Sequence, residues 1–600
     1  MSHAVLDVFL QEAAATAVTR CFGAHVTPSD ISVQRTRKEF PGDRTLVVFP
    51  LTRLSRLSPE ATAEALGKSI LEAVPDVVSY HVVKGFLNLT VRPGYWVAAL
   101  EEAGAQSDWG RGPRGSLPRV MVEYSSPNTN KPLHLGHLRN NFLGHAVAEM
   151  LSAIGHDVVK VQIINDRGIH ICKSMLAWER FGNGETPSSS GMKGDKLVGK
   201  YYVAFDQWYR GEIQELMAQG RSEEDAKAQA PAILQAQELL RRWEAGDAEV
   251  MDLWRRMNGW VYDGFASTYE AMGVTFDRLY YESETYQLGR EEVLDGLARG
   301  VFYQKADGSI WVDLTEDGLD EKLLLRKDGT TVYITQDIGT ALQRYRDFPG
   351  LERQIYTVGN EQEYHFKVLF AVLKRLGVPH ADRNFHLSYG MVHLPEGRMK
   401  SREGTVVDAD DLMAEMVQTA RGMAEERGKL EGMDDEPREL LYKQVGYGAL
   451  KYFLLKVSPG KDMLFDPAAS IDFIGNTGPF IQFNFVRIAS ILKSAGLGWD
   501  EALTPSGLTE GFDEMESDLI QICLDYPQVL QTAAASYDPS LLANYAYELA
   551  KGFSSWYQDH SILQEPRPEL QRLRLQIAAL CGKNIRSAMG LLGIAMPDRM

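Results

Sequence analysis

Residues 119–164 read RVMVEYSSPNTNKPLHLGHLRNNFLGHAVAEMLSAIGHDVVKVQII. The apolar run Arg119 to Tyr124 has strand character and gives way to small polar residues. Beyond them Leu138, Phe142, Val147, Met150, Leu151 and Ile154 fall near helical spacing, and Gly155 supplies a stop. The stretch DVVKVQII, Asp157 to Ile164, is then a second strand. Strand, helix and strand in so short a span make a βαβ unit, whose crossover is right-handed in nearly all cases. A parallel sheet follows.

Working outward, Gly110, Gly112, Pro113, Gly115 and Pro118 cluster just before this unit and mark a linker, with a boundary near 115. Upstream, a helical start, an extended run Thr45–Pro50, a helix Pro59–Val74 and a second extended run His81–Val91 describe a small α+β domain. Downstream, the Gly/Ser/Lys-rich stretch Gly182–Gly199 and the polar helix formers through Trp260 read as an insertion, about 181–290. Alternation of β and α resumes in KLLLRKDGTTVYITQDIGTALQRY (322–345) and QIYTVGNEQEYHFKVLFAVLKRLG (354–377). From Glu403 the pattern turns helical, ending in apolar stripes such as FIQFNFVRIASIL (480–492) and LRLQIAALCGKNIRSAMGLLG (573–593). The expected organisation is an α+β domain at 1–115 and an α/β parallel-sheet core at 116–402 carrying the insertion. A helical connection at 403–470 and an all-α domain at 471–600 complete it.

Composition supports several packed domains: 600 residues, 44% hydrophobic and 24% charged, with no disordered, collagen-like or coiled-coil bias. Sixty-three basic against 81 acidic residues give a net charge of −18, which argues against nucleic-acid binding through global electrostatics. Residues 471–600 carry 9 basic against 15 acidic side chains, so any phosphate-binding face must be local. No stretch approaches the roughly 18 apolar residues of a spanning helix, and the first residues lack a basic segment followed by an apolar one. A cytoplasmic protein is expected. Cys21, Cys172, Cys523 and Cys581 lie too far apart to signal a zinc knuckle or a disulfide framework, and read as buried reduced thiols.

His134, Gly136 and His137 stand where the first strand of the sheet gives way to its helix, in the crevice where parallel sheets bind ligands. A helix N-terminus offers unpaired N–H groups, Gly136 permits close approach, and two imidazoles three residues apart add directed donors. This suits a phosphate whose charge grows during displacement. A capped helix with half-buried histidines and a two-His metal site are the alternatives. For the second, no carboxylate or Cys stands at a usual ligand spacing, and no protein metal ligand is assigned. A second cationic element, Arg398, Lys400 and Arg402 between Gly397 and Gly404, follows an LPEG turn. A glycine-hinged cationic loop can deliver charge to a leaving polyphosphate; an exposed basic turn is the alternative.

With both elements in hand the chain resembles the class I aminoacyl-tRNA synthetases, where a HIGH motif and a KMSKS loop frame ATP on a split Rossmann fold. HLGH at 134–137 matches the first, and RMKSR at 398–402 is a degenerate second. More specifically, VEYSSPNTNKPLHLGHLRN (122–140), VYITQDIG (332–339), GNEQEYH (359–365) and GPFIQFNFVRIASIL (478–492) resemble arginyl-tRNA synthetases. The resemblance implies that Gly136, Met399, Ser401 and Arg402 face ATP. Ser401 stands where KMSKS has its second lysine and cannot supply that charge. Family members commonly depart there and carry a lysine just before HIGH, here Lys131, so Lys131 and Lys400 are expected to meet the phosphates beside His134 and His137.

A guanidinium with five donors in a fixed fork needs a planar carboxylate. Asp337 is the first choice, placed after a strand TVYIT at the start of a helix, with the Tyr333 ring four residues earlier for cation–π packing; helix capping is its alternative role. By similarity to the family, Glu123, Asn128 and Gln362 would hold the polar groups of the amino acid, although Glu123 has structural pairing as an alternative. The implied activity is two-step: L-arginine and ATP, with Mg²⁺, give arginyl-adenylate, and the 2′-hydroxyl of the terminal adenosine of tRNA(Arg) then takes the arginyl group. The C-terminal helices would read the anticodon, helped by Arg572, Arg574, Lys583 and Arg586. Arg35, Arg37, Lys38, Arg53 and Arg56 either touch the tRNA elbow or form a solvated face. The family implies a monomer, and the lack of a long apolar stretch leads to the expectation of no membrane partner. Two rivals remain open: an HxGH nucleotidyltransferase acting on a small acid, and a catalytically silent synthetase-like RNA-binding protein.

Overall fold

The computed structural model describes residues 6–393, 407–426 and 433–600. The chain divides into two compact units. The first joins the described residues through Gly110 to Asn484–Gln528 and Glu548–Ile585; the second comprises Arg111–Phe483, Val529–Tyr547 and Arg586–Met600.

In the first unit, β1 (Val33–Arg35), β2 (Arg44–Val47), β3 (Val77–Val83) and β4 (Phe86–Val91) form an antiparallel sheet in the order β1-β2-β4-β3. The extended run expected at His81–Val91 is a hairpin. It turns at Lys84 (φ 49°) and Gly85 (φ 80°), two left-handed residues that match the twist of the flanking strands. The helices Leu6–Phe22 and Pro59–Ala73 pack together, and Ser58 caps the latter by accepting from the Ala61 N–H. The C-terminal part of this unit is helical and buries Phe485, Leu519, Trp556 and Ile577.

The second unit is built on a five-stranded parallel sheet: β5 (Leu117–Glu123), β6 (His156–Ile164), β7 (Arg278–Tyr281), β11 (Leu351–Gly359) and β12 (Phe385–Tyr389), in the order β12-β11-β5-β6-β7. Winding proceeds one way from β5 to β7 and the other way from β11 to β12. The strand order therefore reverses between β5 and β11, and sheets of this kind hold ligands beyond their carboxyl ends at that point. The expected βαβ unit is present as β5, helix Leu135–Ala153 and β6. Helix and strand approach so closely that a Cβ on Gly144 would lie 2.3 Å from Tyr124 Cβ. Helices from Gly194 to Met272 fill the space between β6 and β7 in sequence.

Three expectations are corrected. KLLL, β10 (Lys322–Leu325), does not join the parallel sheet; with β8 (Tyr303–Gln304) and β9 (Ile310–Val312) it forms a separate antiparallel sheet. TVYIT is not a strand either, because the helix begins at Tyr333 and runs to Asp347. The β-branched residues there suggested extended backbone. A turn in which Asp328 accepts from the Thr330 N–H (3.0 Å), and Thr335, which donates to the Leu324 carbonyl, instead nucleate a helical end. Cys21 is exposed, against expectation, while Cys172, Cys523 and Cys581 are buried.

Candidate active site

The carboxyl end of β5 is shaped by an unusual residue. Ser125 takes φ 63° although it is not glycine, and is fully buried. Such strain persists only where the surroundings enforce it: the Ser125 N–H donates to Asn140 Oδ1 (2.6 Å), and its hydroxyl meets Tyr269 Oη (2.7 Å). Asn140 spans the reversal point, since its amide also donates to the Thr357 carbonyl of β11 (2.7 Å) and to Tyr389 Oη of β12 (3.2 Å). Arg139, buried, donates to the carbonyls of Gly390 (2.5 Å) and Lys461 (2.8 Å). These two residues were not singled out from sequence. The signal was a polar LRNN run inside an otherwise apolar helix face.

The turn thus fixed delivers HLGH to the helix N-terminus. His134 is the N-cap, and its Nδ1 accepts from the Gly136 N–H (3.1 Å). His137 Nδ1 accepts from the His134 N–H (3.1 Å), closing a reciprocal capping box. Because both Nδ1 atoms are acceptors, each neutral ring carries its proton on Nε2. The rings lie with centroids 3.9 Å apart. Burial, and then the nearby Lys131 charge, hold the His134 pKa down to about 3. Burial, with His134 and Lys131 adding to it, likewise keeps His137 well below the ordinary imidazole range. The pair is two fixed Nε2–H donors rather than two imidazolium ions. Lys131 and Gly136 are half-buried beside them, and a Cβ on Gly136 would lie 3.0 Å from His134 Cε1.

The other expected residues are placed as follows. Tyr333 and Asp337 lie one helical turn apart on the same helix; Tyr333 is 80% exposed, and Asp337 Oδ2 meets His365 Nε2 at 2.6 Å. Asp337 is therefore a full turn inside the helix, which removes the capping role left open for it. Gln362 is exposed at the N-cap of the helix Glu363–Arg375, just beyond β11. Asn128 is exposed and bridges to Asn165 at the end of β6. Glu123 is committed elsewhere: its buried carboxylate pairs with the buried Arg344, whose guanidinium also lies over the rings of Tyr280 (5.1 Å) and Tyr356 (5.6 Å). Lys400, Met399, Ser401 and Arg402, with Arg398, lie outside the described residues.

A carboxylate that escaped the sequence reading joins Asp337. Burial raises the Glu282 pKa, opposed by Arg167 and reinforced by the charges of Asp166 and Asp337. Glu282 sits directly after β7 with no motif around it, so only the sheet order brings it to this crevice. The two carboxylates repel one another, Asp337 beside His365 and Glu282 4.0 Å from Arg167, so the local charge attracts a further cation.

Away from the crevice, Arg574 is buried between Glu516 (2.6 Å) and Glu565 (2.9 Å), and Lys583 pairs with Asp500 (3.0 Å). Both are tied to acids, leaving Arg572 at a large polar cleft. Phe485 stacks on Trp499 inside the core, and Trp556 is buried. In the first unit a cavity of about 280 Å³ is lined by Arg37, Phe40, Lys84, Phe86 and Asn88.

Residues 113–466 match the family described as "tRNA synthetases class I (R), catalytic domain", and residues 481–600 match "DALR anticodon binding domain". The arginine–tRNA ligase of Parabacteroides distasonis is 52% identical over 600 residues, covering 99% of this chain and 100% of that one. The chain belongs to the class I arginyl-tRNA synthetase family. The ligase of Porphyromonas gingivalis is likewise 52% identical, over 595 residues that cover 98% of this chain and 99% of its own. Among solved structures, arginyl-tRNA synthetase from Thermus thermophilus superposes with a TM-score of 0.81 at 26% identity, covering 99% and 100% of the two chains. That of Plasmodium falciparum shares the fold with a TM-score of 0.75 at 17% identity, covering 99% and 98%.

Proposed function

We propose the following assignment of residues to the activity of this family, arginine–tRNA ligation. The enzyme joins L-arginine to tRNA(Arg) at the expense of ATP. An arginine carboxylate oxygen attacks the α-phosphorus of ATP, the bond to the bridging oxygen breaks and pyrophosphate leaves. The 2′-hydroxyl of the terminal adenosine then attacks the arginyl carbonyl carbon, the acyl–phosphate bond breaks and AMP leaves.

The arginine carboxylate is already ionised at neutral pH, so activation needs no general base. The residues have to position and stabilise charge. The observation that carries the assignment is the matched pair of Nε2–H donors on His134 and His137 at the reversal point of the sheet. They meet the α-phosphate as it becomes pentacoordinate, with Lys131 and Lys400 on the departing pyrophosphate and Gly136, Met399, Ser401 and Arg402 around the nucleotide. Asp337 and Glu282 take the guanidinium, Tyr333 covers its face, and His365 holds the Asp337 carboxylate in place. Asn128 and Gln362 remain for the α-amino end. Glu123 acts there only through Arg344, because its own carboxylate is spent on that pair.

Mg²⁺ would come with ATP and would supply positive charge to its phosphates, a cation that commonly keeps water and phosphate oxygens as ligands. Among the described residues no group of three or more His, Cys, Asp or Glu could hold a metal ion. The helices of 481–600 read the anticodon. The Phe40, Phe86, Arg37 and Lys84 cavity, with aromatic rings to stack a base and cations for its phosphates, contacts another unpaired nucleotide of the tRNA. This reading divides the chain at about 115, 402 and 470, and takes the enzyme to be a cytoplasmic monomer. No described helix is long and apolar enough to cross a membrane.

Charging of total tRNA with each of the twenty amino acids tests the assignment. Arginine alone should be incorporated, and pyrophosphate exchange with arginine, run with and without tRNA, should respond to His134→Asn. Exchange unaffected by that change would remove the imidazole pair from the mechanism.

A further inference from the structure

Two lysines outside the motifs occupy a place that the reaction scheme does not yet use. Lys193 precedes the helix Gly194–Ala218, and Lys196 lies in its first turn. Three segments converge on them. Lys193 Nζ lies 2.6 Å from Asp410 Oδ2 and 3.3 Å from the fully buried Asp195, and also donates to Thr268 on the helix Ala248–Met272. Thr268 donates in turn to the other oxygen of Asp410 (3.0 Å). Lys196 Nζ reaches Asp411 (2.7 Å) and Asp408 (3.4 Å). Asp408 also accepts from the N–H groups of Asp410 (2.9 Å) and Asp411 (3.1 Å), capping the helix Ala409–Glu426.

The segment held in this way runs beside the catalytic turn. The Leu135 N–H donates to the Val407 carbonyl (3.1 Å), the Ala409 N–H donates to the Leu133 carbonyl (2.9 Å), and His134 and Asp408 form an antiparallel bridge. The same helix also presses on the approach to HLGH, where a Cβ on Gly199 would lie 2.9 Å from Pro132 Cδ and 3.6 Å from Lys131 Cα. One helix therefore touches residues 131–132 directly and reaches residues 133–135 through the segment 407–411.

We propose that Lys193 and Lys196 are positioning residues for adenylate formation, holding residues 407–411 as a brace against Leu133–Leu135 and thereby fixing the backbone that aims the His134 Nε2–H. The proposal rests on the reading of His134 as a phosphate donor. Charge is suited to this task because the brace is acidic along its whole edge. Asp408, Asp410 and Asp411 would repel one another and Asp195 without the two ammonium groups, and burial already raises the Asp195 and Asp408 pKa values. The helix Tyr333–Asp347, which carries the residues assigned to the guanidinium, packs chiefly on the helices Leu288–Ala298 and Glu363–Arg375, so the brace should leave KM for arginine unchanged.

The test is pyrophosphate exchange at saturating tRNA for the full-length Lys193→Met, Lys196→Met and double variants. Lys193→Arg serves as the conservative rescue. Lys200→Met serves as the control: it lies one turn along the same helix and pairs with Glu185 (2.7 Å). Misplacing a catalytic group by about an ångström costs up to roughly 10²-fold. Each Met variant should therefore lose about tenfold in kcat and the double variant about a hundredfold, with KM for arginine unchanged; Lys193→Arg should recover most of the loss and Lys200→Met none be needed, its rate being that of the parent. Should Lys193→Met not fold, Asp410→Asn carries the same expectation from the other partner. Folded variants with parental kcat, or a kcat loss matched by a rise in KM for arginine, would overturn the proposal. His134→Asn in the same assay keeps the two readings apart. If it is slow while the lysine variants are fast, only the brace fails; if it is fast, the donor role fails first.

Discussion

A single hydrogen bond decides what His134 can do. Its Nδ1 is occupied by the Gly136 N–H, so the proton stays on Nε2 and the ring offers a neutral donor. Asparagine at this position keeps an acceptor for the cap, because Asn is among the best N-cap residues, but has no atom where Nε2 stood. His134→Asn should thus reduce exchange by about 10²–10³-fold, the range seen for loss of one preorganised donor, with little change in melting temperature. A comparable fall in both would reassign His134 to structure alone. The same geometry fixes the pH behaviour. The unfolded imidazole takes a proton below its ordinary value near 6.5, whereas the folded ring does so only near 3. The unfolded state therefore binds more protons throughout that window, and the contribution of His134 to stability is complete above 6.5 and is lost as pH falls toward 3. Imidazole ¹⁵N shifts should show a neutral Nε2–H ring at pH 5.5; an imidazolium there would contradict the donor assignment. Glu123 and Arg344 illustrate the opposite use of charge. Their pair is buried under two tyrosine rings, and removing one partner of such a pair typically costs about 3–5 kcal/mol. Arg344→Met should show that loss in urea unfolding; a specific rise in KM for arginine without it would return Glu123 to direct binding.

At the scale of elements, the crevice is a product of strand order. β5 and β11 are neighbours although more than 200 residues separate them in sequence, and Asn140 ties their ends together. The βαβ unit around HLGH was legible because apolar residues recur near helical spacing between two apolar runs and Gly155 follows the end of the helix. The segment TVYIT was not, because its β-branched residues suggest extended backbone, while the contacts that make it helical come from the preceding hairpin. Asp337 was proposed through the guanidinium argument, whereas Glu282 carried no signal in the sequence, since nothing local distinguishes it before β7 is known to lie at the sheet edge. Together they predict an asymmetric effect. Asp337→Asn leaves the shape and removes one charge from the pair, so KM for arginine should rise at least tenfold, as expected for a lost charge-assisted hydrogen bond, while KM for ATP stays put. Steady-state exchange kinetics would show this, and an equal change in both constants would mean that the helix Tyr333–Asp347 does not face the amino acid.

On the scale of the whole molecule, sequence order and compactness part company. The α+β domain read from the first 115 residues folds as one body with two stretches of the C-terminal helical segment, and Arg44 is the residue that shows why. From β2 it donates to Asp7 (2.7 Å), to Gln521 (2.6 Å) and to Asp525 (3.3 Å), and lies over the Trp96 ring at 5.2 Å. A buried arginine shared by segments nearly 500 residues apart in sequence leaves no local pattern, which is why the pairing escaped the sequence reading. It also means that the Phe40–Phe86 cavity and the stretches Asn484–Gln528 and Glu548–Ile585 of the C-terminal helices belong to one compact unit, so damage at their common core should reach tRNA binding and spare the chemistry. Arg44→Met strands Asp525, whose carboxyl burial already raises, and should cost this unit about 3 kcal/mol by analogy with other broken buried pairs. Calorimetry should show an early transition that the parent lacks. In aminoacylation KM for tRNA should rise, whereas kcat of exchange at saturating tRNA and KM for arginine should hold, because the second unit contains every group assigned to the adenylate step. A parallel fall in kcat of exchange would show instead that the first unit supports the catalytic crevice directly.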